Sequence, residues 1–303
     1  MIILLYYKLL EKREKNLNMV TKKQHYYPRT LLKHFADDSN KFHVFMNLAN
    51  KDKFKYINYS NVCVANNTYE VDSKEKISKS VNGLEHKFGF LEQKLGPIID
   101  KIIKNYEIKI WSSPNIGVSE EEIDFLYLYM FIQFIRTDRG RINFIDASNK
   151  DYVSREYPIS IQEIQSRKDD IKKFNSVFTK EGNFEKLLTI LKKPKIMNFH
   201  VFTGDFITSD NPVIGLDDWE QIFMPISQNL CLGFQTDRFS CSNNTIVSIS
   251  KEKNEYLNHS QIETANYFII SKNKFNSNMM SYIKSRFSDS DWQKKTTHFK
   301  KKK

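Results

Sequence analysis

The stretch Ile123–Arg136, IDFLYLYMFIQFIR, decides the fold. Its apolar residues run almost all round a helical wheel, the mark of a helix buried on every side. Ser119 precedes it and Glu122 follows three positions later, the reciprocal pairing of a capping box. A helix over 119–137 is therefore predicted at the centre of the molecule. Near its C-terminal end it carries Gln133 and Arg136, three apart and on one face. A buried helix that keeps an amide and a guanidinium must satisfy both, because an unpaired buried charge costs several kcal/mol.

Working outward, residues 83–105 place Leu84, Phe88, Leu91, Leu95, Ile98, Ile99 and Ile102 at helical spacing, with Glu92 at the edge of that stripe. Pro97 is expected to kink this helix or to start a second one. Upstream, QHYYPRTLLKHFA (24–36) reads as an extended entry into a short helix, with Pro28 biasing Tyr27 away from helix. KFHVFM (41–46) and KFKYINY (53–59) alternate as the two arms of a hairpin. Downstream, 140–195 is polar and mostly helical, with a helix at 183–192. Strands follow at 196–202, 205–209, 213–215, 223–226, 230–235 and 245–250, separated by turn signals such as SDNP. Helices close the chain at 253–270 and 276–287.

That order is a small N-terminal β-hairpin region, a central buried helix bundle and a β-rich C-terminal half closed by helices. It is α+β in one domain, spanning 19–290, rather than alternating βαβ. Residues 1–18 read as a leader outside the fold, with Met19 as the working start, and 291–303 as a basic disordered tail.

Composition narrows the function classes. The chain has 303 residues, 40 % hydrophobic and 27 % charged, so it can build a core and is not disordered throughout. Its net charge of +11 is concentrated at the ends: residues 294–303 hold six lysines and no acid. The body from 19 to 293 is only mildly basic. Such a tail suits a polyanion, nucleic acid or nucleotide, and equally suits a plain solvated terminus. Cys63, Cys231 and Cys241 make an odd count without a CxxC pair, which fits a reduced, cytoplasmic compartment. No apolar run reaches the roughly 20 residues that span a bilayer, and no membrane partner is expected. Gly-rich phosphate loops, HExxH, GxSxG and zinc-type Cys/His spacings do not occur.

Four segments carry polar residues where bland ones would serve: His25 to Arg29, Glu92, Gln133 with Arg136 and Thr137, and Thr208-Ser209-Asp210-Asn211-Pro212. Taken with FMPIS (223–227) and NHSQIETANYFII (258–270), the segments QHYYPRTLLKHFA, QFIRT and ITSDNPV resemble the bacterial family catalogued as domain of unknown function 4238. The resemblance covers about residues 22–270. It implies a bacterial, cytoplasmic, single-domain protein starting near Met19. No catalytic residue can be inherited from it. The positions resembling family motifs are His25, Pro28, Arg29, Gln133, Arg136, Thr137, Ser209, Asp210, Asn211 and Pro212, with Glu92 beside them.

Chemically, Glu92 and Asp210 are suited to Mg²⁺ or Mn²⁺. His25 can be a general base or a ligand, and Arg29 and Arg136 can clamp a phosphate. With Gln133 and Asn211 they make a kit for metal-dependent hydrolysis of nucleic acid or a nucleotide, as in a bacterial defence or toxin effector. The same residues support a second expectation. Arg136 can bridge helix carbonyls and a carboxylate, and SDNP forms a turn in its own right. The protein is then a non-enzymatic binding or regulatory module whose HxxPR and SDNP segments form a structural polar network.

Overall fold

The computed structural model describes residues 23–48, 51–66, 68–69, 83–109, 115–148, 159–180, 182–239 and 242–288. The segments read as leader (1–18) and tail (291–303), and Cys241, lie outside the described residues. What is described is an α+β fold.

The chain opens with β1 (Lys23–His25), a short helix α1 (Arg29–Leu32) and a 3-10 turn over Lys33–Phe35. Strands β2 (Lys41–Leu48) and β3 (Lys51–Asn58) form the expected hairpin, in register from Lys41 opposite Asn58 to Leu48 opposite Lys51. Strand β4 (Val64–Asn66) then returns to β1 as an antiparallel pair.

Helix α2 runs unbroken from Gly83 to Lys109 with Pro97 inside it, so the proline does not divide it in two. Helix α3 (Glu120–Arg136) has the predicted capping box: Glu122 N–H donates to Ser119 Oγ and Ser119 N–H to Glu122 Oε2. Ten of its side chains are buried, Gln133 and Arg136 among them. Four further helices follow: α4 (Asp138–Ala147), α5 (Ile161–Ser166), α6 (Lys168–Thr179) and α7 (Asn183–Ile190).

The break between α3 and α4 is one residue long. Thr137 is extended, and its hydroxyl accepts the Gly140 N–H at 3.0 Å while donating to the Phe134 carbonyl at 2.9 Å. Gly140 passes so close that an added Cβ would overlap the Phe134 carbonyl. A glycine is required there by close approach, not by an unusual φ.

The second half is β-rich, as the turn signals predicted. Strands β5 (Met197–Thr203), β6 (Thr208–Ser209), β7 (Ile214–Leu216), β8 (Gln221–Pro225), β9 (Leu230–Thr236) and β10 (Thr245–Ser248) precede helix α8 (Lys251–Thr264). The expected strand at 205–209 contracts to the two residues that pair. Strand β11 (Phe268–Ser271) and helix α9 (Ser277–Ser288) end the described chain.

One correction concerns the stretch read as a helix over 253–270. That helix stops at Thr264, Ala265 is already extended (φ −64°, ψ 142°), and Phe268–Ser271 form a strand. Aromatic and β-branched residues favour strand here, and tertiary pairing with β2 and β6 settles the competition.

Among the described residues, three sheets result. β1 pairs with β4; β10-β5-β9-β8-β7 form a sheet that is antiparallel except for β10 with β5; β3-β2-β11-β6 form the third. The last one matters for the site, because β11 lies between the N-terminal hairpin and the SDNP turn. The largest apolar cluster joins β2, α1, α2, α3, β5, β8 and β9, with Leu95, Leu126, Ile132, Phe199 and Phe234 fully enclosed. At about 25 cal/mol per Å² of buried apolar surface, this cluster supplies the main drive to fold.

Candidate functional site

The first polar cluster sits where the end of α3 meets β1. Gln133 is fully buried; its amide N–H donates to the Tyr26 carbonyl at 2.9 Å and its oxygen accepts the Tyr129 hydroxyl at 3.2 Å. Arg136 is 1 % exposed. Its guanidinium donates to the His25 carbonyl (2.6 Å), the Tyr69 hydroxyl (3.1 Å) and Glu92 Oε1 (2.5 Å), and it lies over the Phe88 ring. Three directions of the planar fork are thus taken by strand β1, helix α2 and the turn at Tyr69.

His25 and Arg29 form a pair at the edge of this cluster. Arg29 Nε donates to His25 Nε2 at 3.1 Å, and the same nitrogen lies 3.3 Å from the Ser60 carbonyl. The two contacts need opposite protonation of Nε2, so they are alternatives. Burial, followed by the Arg29 charge, lowers the His25 pKa, which favours the neutral ring; with its proton on Nδ1 that ring accepts from Arg29, and with its proton on Nε2 it donates to Ser60.

Two residues of this region carried no signal in the sequence. Arg141 is 1 % exposed and donates to the carbonyls of Ile135, Arg136 and Thr68. It closes the end of α3, and nothing in its spacing marks it as buried. Glu85 lies seven positions before Glu92, on the same face of α2. Its Oε2 is buried without a hydrogen-bond partner. Burial pushes its pKa up to about 7, Arg136 opposing and Glu92 adding to the rise.

The second cluster surrounds the SDNP turn. Asp210 is buried, and its carboxylate accepts the backbone N–H groups of Asn266, Tyr267 and Phe268, each at 3.1 Å to Oδ1. Burial raises its pKa to about 6 against the downward pull of those bonds. Asn211 donates to the Thr264 carbonyl at 3.0 Å and to Asn266 Oδ1 at 2.8 Å. Ser209 donates to Gln261 Oε1, and Gln261 returns a bond to the Pro212 carbonyl at 2.7 Å. The turn therefore caps the end of α8 and fixes the start of β11.

The clusters meet at one seam. Phe134, Thr137 and Arg139 on one side and Asn211, Pro212 and Val213 on the other line a small pocket, and Arg139 bridges it by donating to the Thr264 carbonyl at 3.1 Å. Of the seven expected site residues, His25, Arg29, Glu92, Gln133 and Arg136 come together, while Asp210 and Asn211 belong to the other cluster.

The expected Mg²⁺ or Mn²⁺ ligands, Glu92 and Asp210, lie in separate clusters, and each is bonded within the protein. Glu92 Oε1 faces Arg136, and the Asp210 carboxylate is bonded by three backbone N–H groups. Among the described residues, no group of three or more His, Cys, Asp or Glu side chains could hold a metal. Cys63 and Cys231 are buried free thiols whose pKa values burial raises, which makes them inert hydrophobes rather than nucleophiles. Among the described residues, no helix is long and apolar enough to cross a membrane.

Fold and site together define an α+β protein whose buried polar side chains tie the central helix to the first strand and the SDNP turn to the last sheet. The chain belongs to the family described as Protein of unknown function (DUF4238), whose model matches residues 23–275. No curated protein and no solved structure matches it.

Proposed function

We propose that this protein is a non-enzymatic binding module in which the HxxPR and SDNP segments are a structural polar network. The observation that carries the reading is the state of Asp210: its Oδ1 accepts three backbone amides and its Oδ2 the Asn211 side-chain amide, so the carboxylate organises a chain reversal with both oxygens bonded within the protein. Arg136 is spent in the same way. The partner is anionic, nucleic acid or nucleotide among the candidates, since residues 294–303 add six lysines to a mildly basic body. Free buried thiols at Cys63 and Cys231 support a cytoplasmic location.

One observation favours the hydrolase reading as a second possibility. Glu85 shares a helix face with Glu92, and its raised pKa of about 7 suits an acid–base group near neutral pH. Hydrolysis of nucleic acid or a nucleotide would then rest on His25, Arg29, Glu85 and Glu92, without the Glu92–Asp210 metal pair.

The test incubates the purified protein with labelled DNA, RNA and nucleotides in Mg²⁺, Mn²⁺ or EDTA, beside Asp210→Ala. The module reading expects no cleavage and a variant that melts early. Metal-dependent cleavage lost in an Asp210→Ala variant of unchanged melting temperature overturns it.

A further inference from the structure

Helix α8 carries a lysine where a cation is unfavourable. Lys253 stands in its first turn, its N–H donating to the Ser250 hydroxyl at 3.2 Å. A positive charge there opposes the helix dipole. The side chain is half-buried, and its nitrogen lies 5.0 Å from the centre of the Phe223 ring and 5.4 Å from that of Tyr256. Among the described residues its hydrogen-bond partner is an amide, Gln221 Oε1 at 3.4 Å, and no carboxylate pairs with it. Burial lowers its pKa from the ordinary lysine value, against the opposing pull of Asp217.

Gln221 is held from two further sides. It opens β8 opposite Gln235 of β9, and both side chains are buried. Gln235 Nε2 donates to Gln221 Oε1 at 2.6 Å. Gln221 Nε2 donates to the Asp217 carboxylate at 2.5 Å. Asp217 begins a turn of three non-glycine residues in the left-handed region, Asp217, Asp218 and Trp219, with φ of 50°, 53° and 70°. The Glu220 N–H closes that turn on the Asp217 carbonyl at 3.1 Å. Such a backbone is costly and persists where its surroundings over-determine it. One carboxamide thus has an amine beside its carbonyl, an N–H donor on its oxygen and a carboxylate on its nitrogen.

Those are the parts of an amide exchange: a nucleophile, a donor to the oxygen that gathers charge, and an acid–base group at the leaving nitrogen. We propose that Lys253 and Gln221 are the site of an intramolecular isopeptide cross-link, formed with Asp217 as the proton carrier. The lone pair of the neutral Lys253 amine bonds to Gln221 Cδ, the Cδ–Nε2 bond breaks and ammonia leaves. Asp217 takes a proton from the attacking nitrogen and returns it to the departing Nε2. Gln235 steadies the negative charge that grows on Oε1. No oxidant, reductant or second substrate enters the balance. The product ties the first turn of α8 to β8 and closes a loop on the order of 30 residues. It goes beyond the binding-module reading and uses none of the residues of the two polar clusters.

The experiment is the intact mass of the purified full chain, fresh and after incubation at mildly alkaline pH, followed by tandem mass spectrometry of its peptides. A loss of about 17 Da, one ammonia, is expected, carried by a branched peptide that joins Lys253 to Gln221. Lys253→Arg should show no such loss. Asp217→Asn should form the link at least tenfold more slowly. Asparagine accepts the same left-handed φ and leaves both reacting groups in place, so this variant stays informative if Lys253→Arg folds poorly. Melting temperatures confirm that each variant is folded. A wild-type chain unfolded in guanidinium before incubation should not form the link. A folded chain that keeps its full sequence mass throughout overturns the proposal. So does an ammonia loss mapped to other residues, a link that forms equally in the unfolded chain, or one undiminished by Asp217→Asn. Failure here leaves the melting behaviour of Asp210→Ala, and with it the module reading, untouched.

Discussion

Arg136 donates to the His25 carbonyl at 2.6 Å, tying the last turn of the central helix to a strand 111 residues earlier. The same guanidinium holds Glu92 of α2 and the Tyr69 hydroxyl. A side chain that joins three separate elements through charge-assisted bonds fixes their arrangement. Directly behind it, Arg141 bonds the carbonyls of Ile135 and Arg136, so the last turn of α3 is held by side chains of its own chain.

The tight α3–α4 break makes Gly140 sensitive. Gly140→Ala places a methyl against the Phe134 carbonyl, which belongs to the backbone and cannot swing aside. A loss of about 1–3 kcal/mol is expected in denaturant unfolding. An alanine variant as stable as the wild type would show that the break is looser than described.

Glu85 gives a pH signature. Its pKa rises from 4.5 to about 7 on folding. The folded state keeps a proton that the unfolded state has released, so stability is lost as pH climbs through that window. Glu85→Gln removes the charge and the slope. The stability of the variant relative to wild type should therefore grow between pH 5 and pH 8, on the order of 2 kcal/mol. Parallel stability curves at the two pH values would contradict the burial of this carboxyl.

Asp210→Asn separates shape from acceptor capacity. The amide keeps one oxygen for the backbone N–H groups of residues 266–268 but adds an NH₂ among donors. Melting should fall by an amount equivalent to about 1–3 kcal/mol, with Asp210→Ala falling further. If the asparagine variant matched the wild type, hydrogen bonding at this turn would not hold β11 in place.

Much of this architecture was legible because it is local. The capping box of α3, the hairpin 41–58 and the succession of strands from 197 to 248 follow from spacing and turn chemistry, whereas their order within the sheet does not. The helix read through 253–270 failed because β11 owes its conformation to β2, more than 200 residues away, and to Asp210. The site was half legible. That Gln133 and Arg136 needed partners could be read from a buried helix, yet which partners could not, since Tyr26, His25, Tyr69 and Glu92 come from other elements. Glu85 and Arg141 were missed because a glutamate on a helix edge and an arginine after a cap look like solvated charges. Asp210 read as a ligand because a carboxylate in a turn gives no sign of the three amides that the fold delivers to it.

On the proposed reading, these polar residues hold the fold. Denaturant unfolding of Arg136→Ala, with Arg136→Lys beside it, tests it most directly. Removing the guanidinium leaves Glu92, the His25 carbonyl and the Tyr69 hydroxyl without their donor, so a loss of about 3–5 kcal/mol is expected. Lysine should recover only part of it, because one ammonium cannot reproduce the planar fork. An alanine variant that unfolds at the wild-type midpoint, or above it, would contradict the account and return Arg136 to the role of a phosphate clamp.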